Sequence, residues 1–409
     1  MSTLAAFRSP AFRRYQAARV LSILAMQGVS VAVGWQIYDL THSALDLGLV
    51  GGVQFVPLLL LWPLTGTLAD RFDRKSVLLG AYVWLLLVIV GLAALAVRGG
   101  SVVAPIYALL FAIGIGRAVS GPASSAMLPQ LVPPEDFPNA ASWSSTLSSV
   151  GVIAGPALGG AAYAWAGGAV GAYVLSAGLL TLATLSLATV SPRAVAKARE
   201  PLTLQAALVG VRFIRRHPVL LGAITLDLFA VLLGGAVALL PVYARDLLHT
   251  GPEGLGVLRA APAVGAGLTA LFLSARPLRR NVGTTLYVTV AAFGLATIAF
   301  GLSTSGIGAL VALLLIGATD EVSVFIRQNV VQLATPEAMR GRVGAAEFVF
   351  IGASNELGEL ESGLAAAWIG PVAAVVGGGI GTLVVVALSA WLMPALRRVD
   401  RMDELRAAA

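Results

Sequence analysis

Gln130-Leu131-Val132-Pro133-Pro134-Glu135 returns 202 residues later as Gln332-Leu333-Ala334-Thr335-Pro336-Glu337, and each string closes a long apolar run. The same shift carries the start of the first apolar run, near residue 17, onto the start of the seventh, near 219, and Arg74 onto Arg276. Trp165 lands beside Trp368. The chain thus reads as six runs written twice in the same order, a parallel repeat. The twelve runs lie at about 17–38, 45–68, 76–97, 104–129, 141–166, 170–190, 219–244, 254–275, 284–303, 307–333, 344–368 and 371–394. Each can cross a hydrocarbon layer of about 30 Å at 1.5 Å rise per residue. The expected fold is an all-α membrane protein with twelve transmembrane helices in two six-helix bundles related by a parallel pseudo-two-fold. Residues 1–190 would form the first bundle, 191–218 a cytoplasmic linker, and 219–409 the second bundle and a cytoplasmic tail.

Positive charge sets the expected orientation. The N-terminal arm, every second gap and the C-terminal tail together hold 22 of the 27 Lys+Arg, whereas the alternate gaps hold only Arg98 and Arg245. By the positive-inside bias both termini are expected to face the cytoplasm. The fourth gap, 129–139, carries Glu135 and Asp136 without a basic residue, and acids count little in this rule. A chain that is 58% hydrophobic and 11% charged, with mean hydropathy +0.88, lies far from the roughly 25% charge of soluble domains. Its net +7 therefore suits anionic lipid headgroups and not nucleic acid. The first run is span-length with no small-residue cleavage site behind it, so it reads as a retained helix. In the central linker Leu204, Leu208 and Val211 share a stripe near Arg212, Arg215 and Arg216. That pattern fits either a short helix on the inner membrane surface or a plain solvated linker.

Local motifs narrow the class. Gly66-Thr67-Leu68-Ala69-Asp70-Arg71-Phe72-Asp73-Arg74-Lys75 resembles the signature of the major facilitator superfamily between its second and third spans. The resemblance implies a cytoplasmic latch made by Gly66, Asp70, Arg71, Arg74 and Lys75. Asp73 departs from the pattern, which has Gly there. In the fifth run, Gly151-Val152-Ile153-Ala154-Gly155-Pro156-Ala157-Leu158-Gly159-Gly160 resembles the superfamily's antiporter motif. Gly151, Gly155, Pro156, Gly159 and Gly160 would let helix backbones approach closely around a bend, which ordinary small-residue packing also does. Tyr38 to Ser43, Phe213 to Pro218 and Thr335 to Arg342 are similar to strings of the enterobactin-exporter-like branch of drug:proton antiporters. That resemblance covers essentially the whole chain and implies a major facilitator fold, a small-molecule substrate, protons as coupling partner and a monomer.

Charges inside the runs mark the expected site. Runs 3, 6, 9 and 12 have none, while Arg117, Asp227, Arg259, Asp320, Glu321, Arg327, Glu347, Glu356, Glu359 and Glu361 sit in five of the others. A mid-span charge costs about 2.5–3.5 kcal/mol on insertion scales, so it faces a partner or a wet cavity. Shifted by the repeat, Arg117 falls next to Asp320, which predicts that Arg117 meets Asp320 or Glu321 across a cavity also lined by Arg327, Gln27 and Gln54. A static interhelical pair is the alternative. Asp320 and Arg327, seven residues apart, share a face but stand too far apart to satisfy each other. Glu356 and Glu359, one turn apart near mid-span, compete for charge in a low dielectric and are candidate proton carriers, with Asp227 as a third. Glu347, near the cytoplasmic end, is expected to snorkel to water. Many drug:proton antiporters keep an acid in the first span, where this chain has Gln27 and Gln36. Coupling would then run through the C-terminal half.

Other chemistry is excluded by what the chain lacks. His42, His217 and His249 form no metal-ligand spacing, and with only Lys75 and Lys197 there is no phosphate loop. No enzyme activity, cofactor or metal is expected. The reading is a proton-coupled secondary exporter of small amphipathic compounds. An uptake symporter of a polar solute, or a non-transporting receptor or scaffold on a transporter fold, are the alternatives.

Overall fold

A computed structural model describes residues 4–99, 102–193, 204–276, 278, 280–402 and 404, excluding the side chains of 62–71, 204–208, 338, 340, 341, 345, 348 and 349. The helices of the first half are α1 (Pro10–Thr41), α2 (Ala44–Arg71), α3 (Arg74–Arg98), α4 (Ala104–Met127), α5 (Phe137–Trp165) and α6 (Ala169–Ala188). After α7 (Leu204–Arg216) come α8 (Pro218–Leu233), α9 (Gly251–Ala275), α10 (Val282–Gly301), α11 (Gly306–Ala334), α12 (Arg340–Ile369) and α13 (Pro371–Leu392). Among the described residues, eleven helical segments are long and apolar enough to cross a membrane. Each coincides with one of the expected runs. The twelfth run is α12, whose glutamates lower its apolarity.

Helix ends follow local chemistry. Ser9 accepts from the Phe12 N–H at 3.3 Å and Pro10 opens the first turn, so α1 begins seven residues before its apolar run. Asp73, the departure from the family pattern, is the N-cap of α3. Its carboxylate accepts from the Ser76 N–H at 3.0 Å and the Ser76 hydroxyl at 2.9 Å. The seventh span, Pro218–Leu247, is broken after Leu233 by Gly234-Gly235 and resumes as short turns ending in a π-helical turn at Tyr243–Leu247. Two consecutive glycines disfavour helix and let the chain approach α12, where a Cβ at Gly235 would stand 2.5 Å from the Gly358 carbonyl.

Two compact units emerge: Met1–His42, Val53–Pro201 and Thr250–Ala260 in one, Ser43–Gly52, Leu202–His249 and Ala261–Ala409 in the other. In the first, α1 packs on α5 and α6, and α3 on α4 and α6. In the second, α10 packs on α11 and α13, and α12 on α7, α8 and α13. The helices that contain runs 3, 6, 9 and 12, namely α3, α6, α10 and α13, hold Leu87, Leu182, Leu295 and Leu388 half or more exposed. Such surfaces suit lipid, not water.

The linker contains a helix. On α7, Ile214 is buried in the core of the second unit with Val211 and Phe213 packed against it. Gly210 lies so close to α12 that a Cβ there would collide with the Arg342 carbonyl. At Val211, Phe213 and Ile214, therefore, α7 is turned to protein.

Candidate functional site: an arginine shared by buried acids

Three helices of the second unit bring their charges to one place. Arg327 on α11 is 4% exposed, with its Nε 3.2 Å from an Asp227 carboxylate oxygen on α8, and its Nη1 donates to the Glu347 carboxylate on α12. Asp227 and Glu347 expose only 10% and 15% of their side chains. The expectation that Glu347 snorkels to water is thus corrected: its partner is a guanidinium, which offers a carboxylate more than a bare route to the interface. Ser323, one turn before Arg327 on α11, lines the same small cavity as Asp227.

Asp320 stands on the same face of α11 as Ser323 and Arg327. It lies in the field of Asp227, Arg327 and Glu321, without an ion pair to Arg327 among those the structure shows. Asp227, Asp320 and Ser323 line a cavity of about 10 Å³, closed by Ala230, Val231, Val290 and Phe293. That is room for roughly one water. One cation therefore faces two carboxylates directly with a third close by, and the group is short of positive charge whenever all three acids ionise. Glu321 is half-buried on the same helix.

The other expected residues take their own places. In the first unit Arg117 Nη1 donates to Gln54 Oε1 at 3.2 Å, tying α4 to α2. Gly114 permits that crossing, since a Cβ there would stand 2.5 Å from the Gln54 carbonyl. Arg117 and Asp320 belong to different units, and each is described within its own. On α12 Glu356 is buried and Glu359 half-buried. The Glu359 carboxylate packs over Gly51 of α2, where a Cβ would meet its Oε2 at 2.6 Å.

The glycine motif of α5 is a two-sided packing surface. Cβ atoms at Gly151, Gly155 and Gly159 would stand 2.9 Å from Ile23, 2.5 Å from Gln27 and 2.5 Å from Gly28, all on α1. Gly160 lies against Pro252 and Gly256 of α9, and the Pro156 carbonyl would meet a Cβ at Gly256 at 2.6 Å. In the latch motif Arg74 donates to the Ala126 carbonyl at 3.0 Å and Lys75 to the Ala188 carbonyl at 2.7 Å. Both cations thus sit on C-terminal carbonyls, of α4 and α6, where the helix dipole favours them. The side chains of Asp70 and Arg71, and the surroundings of Gly66, lie outside the described residues.

The grouping of Asp227, Arg327 and Glu347 was missed from sequence because partners were sought across the repeat. Depth carried the signal. Asp227 lies nine residues into α8, Glu347 seven into α12, and Arg327 seven before the end of α11.

A helical membrane protein with buried ionisable groups and no strand among the described residues has the build of a secondary transporter of the major facilitator type. Solved structures agree on the fold. The nucleoside transporter NupG, solved as a point mutant, matches with a TM-score of 0.73 at 12% identity, covering 94% of this chain and 99% of that one. A bacterial homolog of the human lysosomal transporter Spinster, inward-facing and occupied, matches with a TM-score of 0.72 at 17% identity, covering 97% and 98%. Among sequence relatives, the enterobactin exporter EntS of Escherichia coli O1:K1 / APEC is 30% identical over 395 residues, 95% of this chain and 93% of that protein. EntS of Shigella boydii serotype 18 is 29% identical over 393 residues, with the same coverage. The family model for transmembrane secretion effectors matches residues 1–408, and the chain belongs to that family. It is a multi-pass membrane transporter and not an enzyme.

Proposed function

We propose that the protein is a proton-coupled exporter of small amphipathic compounds, working by alternating access between its two six-span repeats, residues 1–190 and 219–409. The observation that carries this reading is Arg327 shared between Asp227 and Glu347 inside the membrane, with Asp320 beside them. A proton arriving on one acid frees the guanidinium to move wholly to another, so protonation changes which helices are tied together. Glu356 and Glu359 on α12 supply further carriers. The relatives' name as exporters supports the outward direction, and an excess of intramembrane acids favours cationic or amphipathic cargo. Arg117, Gln54 and Gln27 would line the path, with Glu321. The latch around Asp70 to Lys75 and the glycine face of α5 would hold the closed states. Placement in a bacterial inner membrane with both termini cytoplasmic, and a monomeric state, belong to the same proposal.

The test uses proteoliposomes with a trapped pH-sensitive dye and a panel of amphipathic cations outside. Cargo-dependent proton movement is expected, and it should be lost in Asp227→Asn and in the double variant Glu356→Gln/Glu359→Gln. Proton flux unchanged in all of these variants overturns the coupling assignment.

A further inference from the structure

A crevice of about 260 Å³ lies within the second unit between α7, α8 and α12. Its walls are Val211 and Ile214 of α7, Leu221, Ile224, Thr225, Leu228 and Phe229 along one face of α8, and Phe350 of α12. One charged side chain lines it, Arg215. Arg215 is exposed and makes no ion pair or hydrogen bond among the described residues, with Arg212 and Arg216 exposed beside it. The close seat of Gly210 on the Arg342 carbonyl fixes where α7 lies. Phe229, 43% exposed, opens the far wall outward.

We propose that this crevice binds an anionic phospholipid, with an acyl chain along the α8 face and the phosphate at Arg215. Apolar walls with one cation at one end match a lipid's own division into chain and headgroup, and a helix junction rich in arginine is where such headgroups gather. Thr225 is the one other polar group in the wall, so a polar solute would leave most of its surface unmatched. The occupant is held independently of proton coupling. It would steady the junction at His217 through which α7 continues into α8.

The probe is the delipidated full chain in mild detergent, titrated with phosphatidylglycerol or phosphatidylcholine of identical chains and followed by native mass spectrometry and thermal stability. Phosphatidylglycerol should bind more tightly, and Arg215→Gln should weaken it about fivefold, the factor equivalent to about 1 kcal/mol per arginine at an anionic surface. Phosphatidylcholine binding should stay unchanged in that variant. Ile224→Trp, which fills the crevice, should reduce both, while Arg398→Gln on the tail should change neither. Equal binding of the two lipids, or Arg215→Gln keeping the full difference, overturns the proposal. Glycerol 3-phosphate reproducing the stabilisation would also overturn it, in favour of a soluble anion. Arg215 is exposed, so its variant tests the idea even if Ile224→Trp fails to fold.

Discussion

Replacing Arg327 by methionine strands two carboxylates in a low-dielectric interior. Methionine keeps an apolar stem of similar bulk, while the guanidinium is lost with its charge and its N–H donors. With Arg327 4% exposed and its two partners at 10% and 15%, this is a buried cluster and not a surface pair. Breaking such a cluster by removing one partner costs about 3–5 kcal/mol, whereas replacing all members by well-packed hydrophobic residues of similar volume is often neutral or stabilising. An unfolding entropy of about 2.1 cal/mol/K per residue over 409 residues translates that cost into about 4–6 °C of melting temperature. Asp227→Asn or Glu347→Gln alone should cost less, because Arg327 keeps its other carboxylate. The triple variant Arg327→Met/Asp227→Val/Glu347→Leu should recover most of the loss while remaining inactive in proton-coupled transport. Thermal unfolding in detergent, read by tryptophan fluorescence, measures all of these. If Arg327→Met melts with the parent, or the triple variant melts below the single one, the shared-arginine account is wrong.

Further outcomes follow from other parts of the molecule. Gly159→Ala drives a methyl against Gly28 at 2.5 Å and should destabilise by about 1–3 kcal/mol in the same melting assay, whereas Gly178→Ala, with open space around it, should not. Asp73→Ala removes the α3 cap and should cost about 1 kcal/mol, and Asp73→Gly, the residue of the family pattern, should cost clearly less than Asp73→Ala in parallel melts. His217 caps α8 by accepting from the Leu220 N–H at 3.5 Å, and partial burial holds its pKa below 6.5. Its contribution is therefore complete above pH 6.5 and lost as pH falls through the lowered value. Melting between about pH 7 and 5 should show this decline, and His217→Asn, which keeps an acceptor but cannot titrate, should flatten it.

The apolar runs were legible because a bilayer demands about 20 apolar residues per crossing, and that demand leaves little room for another reading. The break at Gly234-Gly235 was hidden inside an apolar run, since hydropathy does not register backbone freedom. Pairing within the candidate site was less visible. Asp227 and Arg327 are 100 residues apart, and nothing local ties them. Glu347 was read from its nearness to a helix end, a rule that holds only when no cation waits at the same depth. Asp73 shows the opposite case: the aspartate that breaks the family pattern also meets the ordinary preference for a side-chain acceptor at a helix start, and capping chemistry alone could have explained it.

The acids of α12 also bear on how the chain is made. With Glu347, Glu356, Glu359 and Glu361 in one crossing, α12 gains little by entering lipid alone, since each mid-span charge carries a penalty of a few kcal/mol. Ribosomal synthesis delivers Asp227 and then Arg327 before Glu347, so the counter-charge is already in place when α12 emerges. For Glu347, at least, the order of synthesis places the partner ahead of the charge that needs it.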